Sequence, residues 1–289
     1  MAKSVTNMAV SARARLLTIA KAQNQPFDVI LVRYALERLL YRLSISPHRN
    51  RFVLKGGLLV TLWVDDAMRV TRDVDFLGYG DADAEALKAV FTEIMSIESD
   101  DALAFNTDTL TTEPIRSEVE YGGTRLRTVA LLAGARIPIT VDIGFGDAVA
   151  PATQDLVYPS LLKMDEAKVR AYPPATVIAE KFQAMVALGQ INGRMKDYYD
   201  LWAIPRSLPV PDGALDEAIA ATFARRGTAI PTEPPPGLSQ AFYRSPDKLR
   251  QWDAYTRSIQ FTGATLEEAT QSIWNTVGPA CDRIRARHA

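Results

Sequence analysis

A chain of 289 residues with 47% hydrophobic content is long enough for one large or two modest buried cores. No apolar run approaches the roughly 20 residues that cross a bilayer, and the N-terminus lacks the apolar core and cleavage site of a secretory signal, so a cytoplasmic location is expected. One cysteine, Cys281, excludes an internal disulfide framework, and His48 and His288 are too few for a thiolate or imidazole zinc site; any metal is expected to be a hard ion on carboxylates. The net charge of −1 conceals an asymmetry, because residues 1 to 72 hold twelve Lys or Arg against four acids and the other 217 residues therefore carry −9. Two readings stay open: a basic face that meets phosphates, or the solvated sides of N-terminal helices.

In chain order, helices are expected over 8–22 and 27–44. In the second, Ile30, Leu31, Tyr34, Ala35, Leu39 and Leu40 recur at helical spacing, with Arg33, Glu37 and Arg38 on another face. "RFVLK" (51–55) reads as a short strand and "GLLVTLWV" (57–64) as a helix starting at the glycine pair. "RDVDFLG" (72–78) alternates as a strand does, and "DADAEALKAVFTEIMSI" (81–97) returns as a helix with an acidic first turn. From 102 to 146 the character is β, with "TRLRTVALLAG" and "ARIPITVDIGFGD" meeting at Ala133-Gly134 as a hairpin. A loop is expected near 147–158, then helices in "PPATVIAEKFQAMVALGQ" (173–190) and "RMKDYYDLWAI" (194–204). "IPTEPPPGLSQ" (230–240) reads as a loop, and helices are expected again over 246–259 and 264–277. Two parts follow: 1–158, a core with basic N-terminal helices, and 159–289, a mainly helical part completing an active-site cleft.

Residues i and i+2 of a strand point to one side, so Asp73 and Asp75 offer two carboxylates from one face while Val74 and Phe76 face the core. Two such charges repel unless a cation sits between them, and Mg²⁺ suits one or two carboxylates plus substrate phosphates. Asp142, from a neighbouring strand, would complete a two-metal site, and an ionised group amid Val141, Ile143 and Phe145 needs a partner. Gly56 and Gly57, at a helix N-terminus, would let a phosphate approach the backbone closely. A glycine pair or a D-x-D alone is common; the ordered combination of strand, glycine pair, helix, D-x-D strand and later lone-Asp strand is far more specific.

"KGG", "RVTRDVDFLG" and "VDIGFGD" together resemble the DNA polymerase β type of nucleotidyltransferase core, and within it the AbiEii/AbiGii toxin family, including MenT-type toxins. The resemblance runs from about residue 28 to 202 and includes "AEKFQAM" and "GRMKDYYDLW". It implies an α+β fold: a mixed central sheet with flanking helices plus a mainly helical C-terminal part. Many nucleotidyltransferases carry Gly-Ser where this chain has Gly56-Gly57, so a serine hydroxyl on the phosphate is missing; the Lys-Gly-Gly form reads as a mark of the toxin subfamily.

The resemblance further implies catalytic roles for Asp73, Asp75, Asp142, Lys181 and Asp197, with the three carboxylates holding Mg²⁺ or alternatively Mn²⁺. Lys55, Gly56, Gly57, Arg69, Arg72, Lys181, Lys196 and Asp200 would meet the nucleotide. From the residues alone, Lys196 and Asp200 could equally form an exposed i, i+4 pair, Asp197 could orient a core arginine, and Arg69 and Arg72 could neutralise a phosphate or merely solvate the strand's entrance. The implied activity is transfer of nucleotides from an NTP to RNA, at a tRNA 3′ end, blocking translation and growth, with a separately encoded cognate antitoxin as partner. A small-molecule nucleotidyltransferase of the antibiotic-modifying kind stays open because residues 73–289 are acidic. A non-catalytic nucleotide-binding module ranks last, since all three carboxylates are present.

Overall fold

The computed structural model describes residues 2–64, 66–115 and 122–287, with side chains from Met8 onward; His288 lies outside the described residues. The chain divides into two compact units. One comprises Met1–Leu59, Val70–Gly146 and Gln154–Ala171, the other Val60–Arg69, Asp147–Thr153 and Tyr172–Ala289. No helix among the described residues is long and apolar enough to cross a membrane.

The first unit holds helices α1 (Ala2–Ala22), α2 (Phe27–Ile45) and α4 (Ala84–Met95), the start of α3 (Gly57–Trp63), and eight strands: β1 (Phe52–Lys55), β2 (Val74–Gly78), β3 (Ala104–Phe105), β4 (Thr111–Ile115), β5 (Gly123–Leu132), β6 (Ala135–Phe145), β7 (Gln154–Tyr158) and β8 (Ala167–Ala171). They form one mixed sheet in the order β3-β5-β6-β2-β1-β8-β7, with β4 on β5. β2 runs parallel to β6 and β1 to β8, whereas β1/β2 and β5/β6 are antiparallel. The hairpin expected at Ala133-Gly134 is present, and both residues have positive φ (45° and 79°), the backbone that lets a two-residue turn match the twist of its strands. Alternation settles the faces of the sheet: Val74 and Phe76 are buried, and Phe76, Phe52 and Phe91 of α4 pack with ring centroids 5.1–6.3 Å apart. The opposite face of β2 is thereby left to Asp75.

Two expectations are corrected here. Residues 154–158, expected as loop, form β7, and 167–171 form β8; both are short and carry charged residues, which hid them among helical text. The polar side assigned to α2 is not a solvent face, because Glu37 and Arg38 are each 1% exposed. α2 packs on α1, α4, β6 and β8 and is buried along most of its length. Its charges are matched inside: Arg38 pairs with Glu37 at 3.0 Å, and Arg42 grips Asp101 through two nitrogens at 2.5 and 3.0 Å. The basic surplus of the first 72 residues is thus partly internal rather than one basic face.

The second unit is helical: α5 (Pro174–Leu188), α6 (Met195–Ser207), α7 (Asp212–Arg225), α8 (Gln240–Tyr243), α9 (Pro246–Ser258) and α10 (Leu266–Ala286). α5 packs on α7, and α10 on α6 and α7. α7 has no counterpart among the helices expected from sequence. α10 starts from a capping box, in which Thr265 Oγ1 accepts from the Glu268 backbone and Glu268 accepts from the Thr265 backbone. Tyr199, Trp202, Trp252, Tyr255 and Phe261 form an aromatic cluster that pins α6 to α9.

Candidate active site

Sheet register assembles the site in the first unit. Lys55 on β1 stands opposite Asp75 on β2, Asp75 opposite Asp142 on β6, Asp142 opposite Arg125 on β5, and Arg125 opposite Glu113 on β4. Residues in one register row share a face, so two carboxylates lie side by side with a cation at either end. Asp73 joins them from just before β2, where Thr71 Oγ1 donates to its Oδ1 at 2.5 Å. One carboxylate oxygen from each of Asp73, Asp75 and Asp142 lies within 4.8 Å of the others.

Gly56 is required by this arrangement. Its φ is +70°, and a Cβ there would overlap the carboxylate of Asp75. The close approach also brings the Gly57 N–H to donate to Asp75 Oδ2 at 3.3 Å, at the start of α3. Glycine at 56 therefore serves the Asp75 carboxylate, whatever else approaches the backbone.

Burial pushes the Asp75 carboxyl up to about 6, with Asp73 and Asp142 adding repulsion, and Lys55 and the Gly57 N–H only partly offset them. Asp142 has a partner that sequence reading missed: Arg125 donates from Nε to Oδ1 at 2.7 Å and from Nη2 to Oδ2 at 2.6 Å. Among the described residues, three carboxylates thus face Lys55 and Arg125. An all-oxygen donor set with an excess of negative charge fits a hard divalent ion, and Asp73, Asp75 and Asp142 are the residues that would hold it.

The remaining expected residues lie in the second unit, apart from Arg72. Arg69 and Asp200 are enclosed with 0% side-chain exposure, joined by two bonds of 2.8 and 2.6 Å. The alternative of an exposed Lys196–Asp200 pair does not hold, since Asp200 is buried against Arg69, and Asp200 is the carboxylate that grips this core arginine. Arg69 neither solvates the strand's entrance nor reaches solvent. Lys181 pairs with Asp197 and, at 2.9 Å, with Asp200. Burial alone would pull the Lys181 ammonium down, but Asp197 and Asp200 outweigh it and hold it above the usual lysine range; Lys181 and Arg69 likewise overcome burial to keep Asp200 low. Lys196 and Asp197 line a hollow of about 630 Å³ with Arg194, Gln251 and Tyr255. Arg72, in the first unit, is exposed and pairs with Asp28 at 2.7 Å.

Comparison with known proteins fits this geometry. The family model described as "Nucleotidyl transferase AbiEii toxin, Type IV TA system" matches residues 38–277, a span that includes the glycine pair, all three carboxylates and Lys181. No curated protein matches. Two solved structures from Helicobacter pylori are similar. One, described as a "putative nucleotidyltransferase", is 13% identical over 90% of this chain and 97% of its own, with a TM-score of 0.46. The other, JHP933, is 12% identical over 90% and 94%, with a TM-score of 0.47. A carboxylate triad built by strand register, within a family match that covers most of the chain, leads to one conclusion: this protein belongs to the AbiEii family of nucleotidyltransferase toxins of type IV toxin–antitoxin systems.

Proposed function

We propose that the protein transfers nucleotides from an NTP to RNA, at a tRNA 3′ end, in a Mg²⁺-dependent reaction that blocks translation in the cytoplasm, with Mn²⁺ as the alternative ion. The observation that carries this reading is the row Lys55, Asp75, Asp142, Arg125 with Asp73 beside it: three carboxylates that meet, among the described residues, two cations. A bound divalent ion would supply charge neutralisation at the triphosphate. Asp73, Asp75 and Asp142 hold it, and Lys55 and the Gly56-Gly57 backbone sit next to Asp75, where an anionic substrate needs donors. The acceptor hydroxyl oxygen bonds to the α-phosphorus and gives up its proton to solvent, as the bond from the α-phosphorus to the oxygen bridging it to the β-phosphate breaks and pyrophosphate leaves. Lys181 and Asp197 are candidates for offsetting nucleotide charge, and the charge balance around Lys181 supports a lysine kept protonated. A separately encoded antitoxin is the partner expected of a toxin in this family.

The test is incubation of the purified protein with each of the four α-³²P nucleoside triphosphates, Mg²⁺ and total tRNA, beside Asp75→Ala, Asp142→Ala and Lys181→Ala. Label on tRNA from the unsubstituted chain and none from the two aspartate variants is the expected result. Nucleotide consumption with label only on a small molecule would move the acceptor to the antibiotic-modifying class. No consumption under any of these conditions would overturn the assignment.

A further inference from the structure

Arg125 stands out because a guanidinium already grips one of the three carboxylates that would hold the ion. Its fork closes on both oxygens of Asp142, 2.7 and 2.6 Å away, so it occupies the carboxylate that a divalent ion would also need. The competing acid in its row, Glu113, is taken by Arg127 at 3.0 Å. Arg125 is 31% exposed while Asp142 is 14% exposed, so the arginine is the more solvent-accessible member of the pair. A planar bidentate donor suits a phosphate as well as a carboxylate.

We infer that Arg125 is the resident counter-cation of the carboxylate cluster: it yields its hold on Asp142 when a divalent ion binds, and its freed guanidinium then engages the triphosphate. The inference rests on the metal and nucleotide assignment above and adds to it a coupling. Ion and guanidinium compete for Asp142, so each weakens the other there, while the ion's arrival makes a phosphate ligand of Arg125. An arginine that only orients Asp142 behaves otherwise, because its loss weakens the binding of ion and nucleotide alike.

The opposite signs are the test. Mn²⁺ is titrated into the full chain without nucleotide, with free Mn²⁺ read by electron paramagnetic resonance, for the unsubstituted protein, Arg125→Gln, Arg125→Lys and Arg127→Gln. Arg125→Gln is expected to bind Mn²⁺ about fivefold more tightly or better, Arg125→Lys to fall between, and Arg127→Gln to match the unsubstituted chain. With α,β-methylene triphosphates of the four bases at saturating Mn²⁺, Arg125→Gln is expected to bind nucleotide about tenfold more weakly, the loss of a charge-assisted hydrogen bond. Weakening or no change of Mn²⁺ binding in Arg125→Gln overturns the counter-cation role alone, and unchanged nucleotide affinity overturns the transfer to phosphate. Failure of the unsubstituted chain to bind Mn²⁺ at all overturns the metal assignment and this inference together. Circular dichroism checks folding, and Arg125→Lys, which keeps the charge but not the fork, carries the same reading if the Gln variant does not fold.

Discussion

Each unit gathers four or five charges in a confined space, and they balance them differently. In the second unit, among the described residues, Arg69 and Lys181 meet Asp197 and Asp200, with Arg69 and Asp200 sealed from solvent. In the first, among the described residues, Asp73, Asp75 and Asp142 meet Lys55 and Arg125, and Asp75 has a raised pKa. Buried charge is tolerated wherever it is matched; a local excess of one sign marks a place completed from outside. The balanced cluster is therefore read as a support that fixes Lys181, and the unbalanced one as the seat of chemistry.

The contrast can be broken most severely at Asp200. Asp200→Ala removes the carboxylate that holds the buried Arg69 guanidinium through two bonds and is expected to cost about 3–5 kcal/mol in urea unfolding; a loss below 1 kcal/mol would show that the pair is not the support described. Asp75→Asn should do the reverse to the metal-free protein. The folded-state pKa of Asp75 is about 6 against an ordinary 3.8, so between about pH 4 and 6 the folded state holds more protons and stability falls as pH rises. The penalty is fully present above pH 6 and absent below pH 4. Removing the charge is expected to stabilise the apo-protein at pH 7 by up to about 3 kcal/mol, with the gain vanishing at pH 4 and shrinking on addition of Mg²⁺; thermal melts across that range check it. Gly56→Ala should cost about 1–2 kcal/mol for its left-handed backbone and displace Asp75 besides, so nucleotide transfer falls further than the melting temperature suggests. The smallest effect is expected at Arg72, whose exposed pair with Asp28 contributes at most about 1 kcal/mol. A clear rise in KM for nucleotide in Arg72→Ala would then report contact with phosphate rather than lost stability.

Much of the site was legible because it is periodic. Asp75 and the isolated Asp142 lie in strands whose alternation reveals their faces, with Asp73 just ahead of the first, and the Ala133-Gly134 turn shows how β5 and β6 meet. Arg125 was not, because three arginines, Arg125, Arg127 and Arg136, punctuate that hairpin and only the register singles out the one opposite Asp142. Sequence likewise shows that Arg69 and Asp200 are charged, but not that they find each other: their partnership joins the turn after α3 to α6 across 131 residues of chain. The polar side of α2 misled for a related reason, since helical spacing cannot tell a solvent face from one lined with partners such as Asp101 and the Leu161 amide.

The parallel pairing of β2 with β6 also orders events in time. Asp73 and Asp75 leave the ribosome early, but their third partner lies beyond α4, β3, β4 and the whole of β5. A parallel, long-range pairing forms late because the intervening chain must close as a loop first. A nascent chain consequently lacks the third carboxylate of the cluster through much of its own synthesis, until residue 142 has emerged and found its strand.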